Sequence, residues 1–199
     1  MKEIIAEKQR LRKIFHEKRS SIDLETKDSL SKLIAENFIN FLTKNNFDYQ
    51  NKIFASFVAT RFEASPEYIE EFLIKNNCRI CYPKIVKNSK VLQFIYNSQN
   101  LDFVSNESFP NIFEPPSGEI LIPDYLLVPL LAFDNNLQRL GMGKGFYDNT
   151  IDNLKTKNPD LKTCGIAFNF QHSQQALPLI KTDLSLDFVA TDVDFFVAK

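Results

Sequence analysis

The sequence predicts an α/β fold: a three-layer αβα arrangement with a mostly parallel open sheet and helices on both faces. Three observations carry this expectation. Apolar runs of strand length alternate with amphipathic segments of helix length along the chain, the pattern of strand–helix–strand units. The most apolar run, residues 125–133, has the character of a central strand that breaks near Pro129. Three of the five glycines stand at 141, 143 and 145, just beyond that strand, where sheets of this class bind their ligands.

Each element has its own signal. Residues 3–20 read as a first helix, with Ile4, Leu11, Ile14 and Phe15 along one side. Asp23 is placed to cap a second helix, in which Leu30, Leu33, Ile34, Phe38, Phe41 and Leu42 keep the amphipathic spacing. Residues 53–58 read as a buried strand. Ser65-Pro66-Glu67 supplies a cap, a first-turn proline and an acid, and Tyr68, Ile69, Phe72 and Leu73 give the helix that follows its apolar face. Strands are expected at 79–82 and 91–96. Residues 105–123 hold Pro110, Pro115, Pro116, Gly118 and Pro123 and are expected to be an irregular crossing segment. The central strand and the polar turn Asp134-Asn135-Asn136 lead into the glycine cluster. A helix over 146–155 and short strands at 164–168 and 188–190 complete the series. Residues 1–199 are expected to make a single domain with a sizeable core.

Composition narrows the function. The chain is 44% apolar and 25% charged, with a formal net charge of −1. A dedicated nucleic-acid binder is usually basic, so no nucleic-acid partner is expected. No apolar run approaches the roughly 18 residues that span a bilayer, and the first residues are charged, without an apolar signal core. A cytoplasmic protein without a membrane partner is the default. Cys78 and Cys81 form a C-x-x-C, but residues three apart on a strand face opposite ways. With no second cysteine pair and only His16 and His172 as histidines, buried thiols are expected in place of a zinc or redox site.

The chemistry concentrates at Arg139-Leu140-Gly141-Met142-Gly143-Lys144-Gly145-Phe146-Tyr147-Asp148. The stretch is not a P-loop, because Gly145 follows Lys144, and not a dinucleotide fingerprint, because Phe146 stands where glycine is needed. Its physics is nonetheless that of an anion site. Backbone N–H groups in a glycine-permitted turn make a nest, a helix beginning near Gly145 adds its dipole, and Lys144 and Arg139 supply charge. A tight surface turn with solvated charges is the other reading. Asp148 is either one carboxylate of a Mg²⁺ site or a first-turn acid favoured by the helix dipole. Lys8 and Arg12 share one face of the first helix. They either clamp phosphate or belong to a solvated basic face, with Arg10, Lys13, Lys18 and Arg19 nearby. Glu63 lies in a strand-to-helix loop, where specificity groups often sit. Asp183 and Asp187 occupy a late loop, as turn residues or as ligands.

Together these residues resemble the 5-formyltetrahydrofolate cyclo-ligase family, also called 5,10-methenyltetrahydrofolate synthetase, over nearly the whole chain. The decapeptide is similar to the family's R-L-G-x-G-x-G-Y-Y-D, and Val128-Pro129-Leu130-Leu131-Ala132-Phe133-Asp134 to its V-P-x-x-A-F-D. Lys8-Gln9-Arg10-Leu11-Arg12, Ala55-Ser56-Phe57 leading to Glu63, Tyr82-Pro83-Lys84, and Leu177-Pro178 with Asp183 and Asp187 also fit. The resemblance implies ATP- and Mg²⁺-dependent closure of 5-formyltetrahydrofolate to 5,10-methenyltetrahydrofolate by a monomer acting on small molecules. It implies that Lys8, Arg12 and the loop from Arg139 through Leu140, Gly141, Met142, Gly143, Lys144, Gly145 and Phe146 to Tyr147 hold ATP. Asp148 and Asp183 would hold Mg²⁺. Val58, Glu63 and the loop centre from Met142 to Phe146 would face the folate, with Lys144, Arg139 and Glu63 as the catalytic groups. Phe146 replaces a family tyrosine, and Glu63-Ala64-Ser65 replaces E-V-D. These two departures motivate the alternative, a folate- or nucleotide-binding module without catalysis.

Overall fold

The computed structural model describes residues 1–97 and 102–198. In chain order the elements begin with helices α1 (Lys2–Ser20) and α2 (Leu24–Lys44), strand β1 (Ile53–Ala55), helix α3 (Glu67–Lys75), and strands β2 (Arg79–Lys84) and β3 (Gln93–Tyr96). The short strands β4 (Val104–Ser105), β5 (Phe113–Glu114) and β6 (Ile120–Leu121) follow, then β7 (Tyr125–Pro129), β8 (Ala132–Asp134) and β9 (Arg139–Leu140). Helix α4 (Phe146–Lys157), β10 (Lys162–Ile166), β11 (His172–Ser173), β12 (Phe188–Ala190) and β13 (Phe195–Val197) complete the series.

The main sheet has the order β13-β12-β10-β7-β1-β2-β3-β6. Its central strands β12, β10, β7, β1 and β2 run parallel, and β13, β3 and β6 pair antiparallel at the two edges. Alternate residues of the central strands feed two different cores, as a sheet buried on both faces requires. Phe54, Ile80, Leu127 and Cys164 pack against Ile34, Phe38 and Leu42 of α2 and Ile69 and Leu73 of α3. Ala55, Cys81, Leu126, Val128 and Val189 pack on the other side, against Ile151 and Leu154 of α4. The α/β class, the mostly parallel sheet and helices on both faces are as expected from sequence. Cys78 and Cys81 fall into opposite cores, and both are free and buried. No helix among the described residues is long and apolar enough to cross a membrane.

A smaller three-stranded sheet, β11-β8-β9, carries the site. Phe15 of α1 packs on it with Leu131, Ala132, Leu140 and Leu177. Buried Asp134 builds the turn between β8 and β9. Its carboxylate accepts the N–H groups of Asn136 at 2.9 Å, Gln138 at 3.1 Å and Leu177 at 2.8 Å. The chain therefore re-enters as β9 and delivers the glycine cluster to the same edge as α1.

Several local expectations shift. The break near Pro129 separates β7 of the main sheet from β8 of the small one. The strand expected over 53–58 ends at Ala55; Ser56 still donates to Cys81 O at 2.8 Å before the chain turns away. Asp23 caps α2, accepting the Thr26 N–H at 2.8 Å. Helix α3 starts at Glu67, with Pro66 as its cap residue. Leu33, expected on the apolar face, is exposed. The irregular segment 105–123 contains β5 and the edge strand β6, each only two residues long, too short to show alternation in the sequence.

Candidate active site

The loop between β9 and α4 takes its shape from its glycines. Gly143 has φ +92° and Gly145 φ +74°, a region L side chains rarely enter. A Cβ on Gly143 would lie 3.1 Å from the Arg12 Cζ, so glycine also admits the guanidinium to the main chain. Gly145 is the cap residue of α4, and no side chain caps this end. The amides of Phe146, Tyr147 and Asp148 thus lack intrahelical acceptors and sit at the positive end of the helix dipole.

Helix α1 and the loop itself bring cations to this region. Arg12 donates through Nε to Gly141 O at 2.9 Å. Lys8, one turn earlier on α1 and 6% exposed, pairs with the Asp183 carboxylate. Arg139 is buried at the loop base and bonds Asp148 Oδ1 through Nη2 at 2.6 Å, while its Nε has no partner. Lys144 stands exposed at the loop centre, its Nζ 5.4 Å from the centroid of the Phe109 ring. Phe109 in turn meets Phe146 edge-on at 6.1 Å. The solvated-face reading therefore holds for Arg10, Lys13 and Lys18, which are exposed, and fails for Lys8 and Arg12.

The acidic side is compact. Asp183 also accepts the Ile180 N–H at 2.7 Å, and the Leu184 N–H lies 3.5 Å from Asp148 Oδ1, so the two predicted ligand carboxylates stand on touching segments. Asp187 is different. It accepts both the N–H (2.8 Å) and the hydroxyl (2.7 Å) of Thr163, which ties the start of β12 to β10. Among the described residues no group of three or more His, Cys, Asp or Glu side chains forms a metal cage. Asp148 and Asp183, engaged here by Arg139 and Lys8, are hard oxygen donors of the kind that could hold Mg²⁺ together with a bound phosphate.

The Glu63 segment follows β1. Half-buried Val58 leads into a turn in which Glu63 Oε2 accepts the Thr60 N–H at 2.9 Å. Lys27 of α2 donates to Thr60 O at 3.0 Å. Arg19 of α1, 4% exposed, lies with Nη1 3.6 Å from Glu63 Oε1. Burial pushes the Tyr147 hydroxyl well above its usual range; the charge of Glu63 adds to the rise and Arg139 opposes it. Leu140 is 1% exposed, with its side chain in the core and its carbonyl accepting the Leu131 N–H at 2.8 Å. Met142 is exposed, and Val58 makes no polar side-chain contact.

Arg19 and Phe109 are the residues that sequence reasoning did not place here. A signal for Arg19 was present: Lys8, Arg12, Phe15 and Arg19 recur at helical spacing and form one stripe of α1. Phe109 had none, because its position depends on how the proline-rich crossing segment folds back.

The fold agrees with comparisons to known proteins. Residues 4–192 match the model of the 5-formyltetrahydrofolate cyclo-ligase family. A protein named 5-formyltetrahydrofolate cyclo-ligase from Mycoplasma pneumoniae is 29% identical over 187 residues, covering 94% of this chain and 99% of that one. The solved structure of a 5,10-methenyltetrahydrofolate synthetase from Mycoplasma pneumoniae is similar, with a TM-score of 0.72 and 25% identity, over 93% of this chain and 98% of that one. The Aquifex aeolicus 5,10-methenyltetrahydrofolate synthetase, at 24% identity and a TM-score of 0.75 over 96% and 93% of the two chains, supports the fold. With its α/β fold, its glycine loop and a match across nearly all its length, the chain belongs to the 5-formyltetrahydrofolate cyclo-ligase family.

Proposed function

We propose that this protein converts 5-formyltetrahydrofolate to 5,10-methenyltetrahydrofolate, using ATP and Mg²⁺ and releasing ADP and phosphate. The observation that carries this reading is the uncapped N-terminus of α4 behind the glycine loop, with Arg12, Lys8, Arg139 and Lys144 gathered around it.

A formamide carbonyl is a poor electrophile, because its nitrogen donates into it. Transfer of the ATP γ-phosphoryl group to the formyl oxygen makes that oxygen a leaving group. Folate N10 then attacks the formyl carbon, N10 gives up its proton, and phosphate departs with the former carbonyl oxygen. Such a reaction rests on positioning and on neutralising phosphate charge. Arg12 and Lys8 bind from the α1 side, the loop amides cradle the polyphosphate, and the exposed Lys144 reaches the transferring group. Arg139 anchors Asp148 and balances charge from beneath. Asp148 and Asp183 would hold Mg²⁺, which supplies charge neutralisation across phosphate oxygens. Val58, Glu63 and the loop centre from Met142 to Phe146 face the folate, with Glu63 as a hydrogen-bond acceptor for the pterin.

The test is a spectrophotometric assay with pure protein, ATP, Mg²⁺ and 5-formyltetrahydrofolate. The near-ultraviolet absorbance of the methenyl product is expected to rise only when ATP is present, and Lys144→Ala is expected to lower turnover without unfolding the protein. No rise in the wild type sinks the proposal. Calorimetric binding of the folate without ADP release would instead favour a non-catalytic binding module, the reading that Phe146 and the Glu63-Ala64-Ser65 loop motivate.

A further inference from the structure

We infer that Arg19 is a positioning residue for Glu63, setting the affinity of the site for the folate without touching ATP. The inference rests on the proposed contact between Glu63 and the folate.

Three observations carry it. First, Arg19 is 4% exposed, yet its hydrogen-bond provision is poor: Nη1 donates to Leu130 O at 3.2 Å and Nε has no partner. A buried guanidinium held this loosely needs a counter-charge. Among the described residues the one carboxylate within ion-pair reach is Glu63, at 3.6 Å. Second, a buried ion pair at 3.6 Å is weak support for stability compared with apolar packing of similar volume, which leaves room for a role in the site. Third, Arg19 lies on the same stripe of α1 as Lys8 and Arg12. The helix rises about 1.5 Å per residue, so the stripe spans roughly 16 Å. It touches the Asp183 loop through Lys8, the glycine loop through Arg12 and the Glu63 turn through Arg19. One rigid element thus registers the proposed nucleotide and folate sides against each other.

The Glu63 turn has further anchors. Lys27 holds Thr60 O, and the Thr60 N–H holds Glu63 Oε2. These fix the main chain and one carboxylate oxygen, which leaves Oε1 to Arg19.

The experiment compares Arg19→Met, Arg19→Lys, Glu63→Gln and the double variant Arg19→Met/Glu63→Gln, measuring KM separately for 5-formyltetrahydrofolate and ATP, with thermal unfolding as a control. Arg19→Met is expected to raise the folate KM about tenfold and leave the ATP KM within about twofold. Adding Arg19→Met to Glu63→Gln is expected to raise the folate KM no further, because Arg19 acts through that carboxylate. Arg19→Lys keeps the charge but loses the fork, and a smaller rise in the same KM is expected. Should Arg19→Met not fold, Arg19→Lys decides alone, and an unchanged folate KM there overturns the inference. Equal changes in both KM values, or a loss of thermal stability alone, mark Arg19 as merely structural and overturn it too. If Glu63→Gln raises the folate KM and Arg19→Met does not, the inference fails while the folate role of Glu63 stands. If Glu63→Gln changes nothing, both fall.

Discussion

Gly143→Ala separates two demands that the loop makes on one residue. The first is conformational. At φ +92° an alanine strains the backbone by about 1 kcal/mol. The second is steric. The new Cβ would lie 3.1 Å from Arg12 Cζ, 3.2 Å from Nε and 3.4 Å from Nη2, so the guanidinium must move by several tenths of an ångström. That movement weakens the bond from Arg12 Nε to Gly141 O, worth about 1 kcal/mol at a half-buried position. The two losses should appear in different measurements. Strain in the folded loop lowers Tm, by about 2–4 °C per kcal/mol for a chain of this size. On the proposed role of Arg12 in holding ATP, its displacement is expected to lower nucleotide affinity, and a loss of about 1 kcal/mol corresponds to roughly a fivefold rise in the ATP KM. Thermal unfolding by circular dichroism and steady-state kinetics with varied ATP read the two separately, with Arg12→Ala as the reference for losing the clamp without the strain. A fall in Tm with an unchanged ATP KM, while Arg12→Ala raises it, refutes the steric half. No change in either quantity refutes the whole account.

Other perturbations test the scaffold. Gly165 serves packing, since a Cβ there would lie 2.6 Å from Leu130 Cδ2 and 2.8 Å from Leu186 Cδ1. Gly165→Ala should therefore cost about 1–3 kcal/mol in chemical denaturation by overpacking and leave the ATP KM unchanged; a neutral outcome would show that the core around β10 yields. Glu70, whose carboxylate is bonded by the Ser56 hydroxyl and by Tyr82 at 2.6 Å, has its pKa raised by burial, against the effect of those two bonds and with a further rise from the charge of Glu67. A carboxyl with a raised folded pKa stabilises the fold fully below its unfolded value, about 4.3, and that stability is lost as pH rises through the folded value. Glu70→Gln should therefore gain stability relative to the wild type as pH rises from about 4, with a flatter profile in denaturation at several pH values; parallel profiles would refute the buried ionisation.

Much of the architecture was legible because its signals are local or periodic. The apolar stripe of α2, the Asp23 cap, the central run broken at Pro129 and the opposed cysteines each follow from spacing within one element. The glycine loop was legible for the same reason: left-handed backbone such as that at Gly143 and Gly145 favours glycine on local steric grounds. Ordered motifs spread over the chain then identified the family.

Tertiary structure decided the charges. The sequence left Lys8 and Arg12 open between a solvated face and a clamp, because side chains four residues apart share a face without revealing what that face meets. Only folding set α1 across the small sheet, buried Lys8 against Asp183 and laid Arg12 on Gly141. Arg19 looked like one more surface cation, and packing turned it into a buried partner of Glu63. Phe109 reached Lys144 and Phe146 only through the fold of the crossing segment. By itself the sequence determined the α/β class, the mostly parallel sheet and the place of the glycine turn, since these depend on backbone sterics and periodicity. Which cation meets which carboxylate was decided by the tertiary structure, because such pairs join residues as far apart as 8 and 183, and no local pattern encodes that contact.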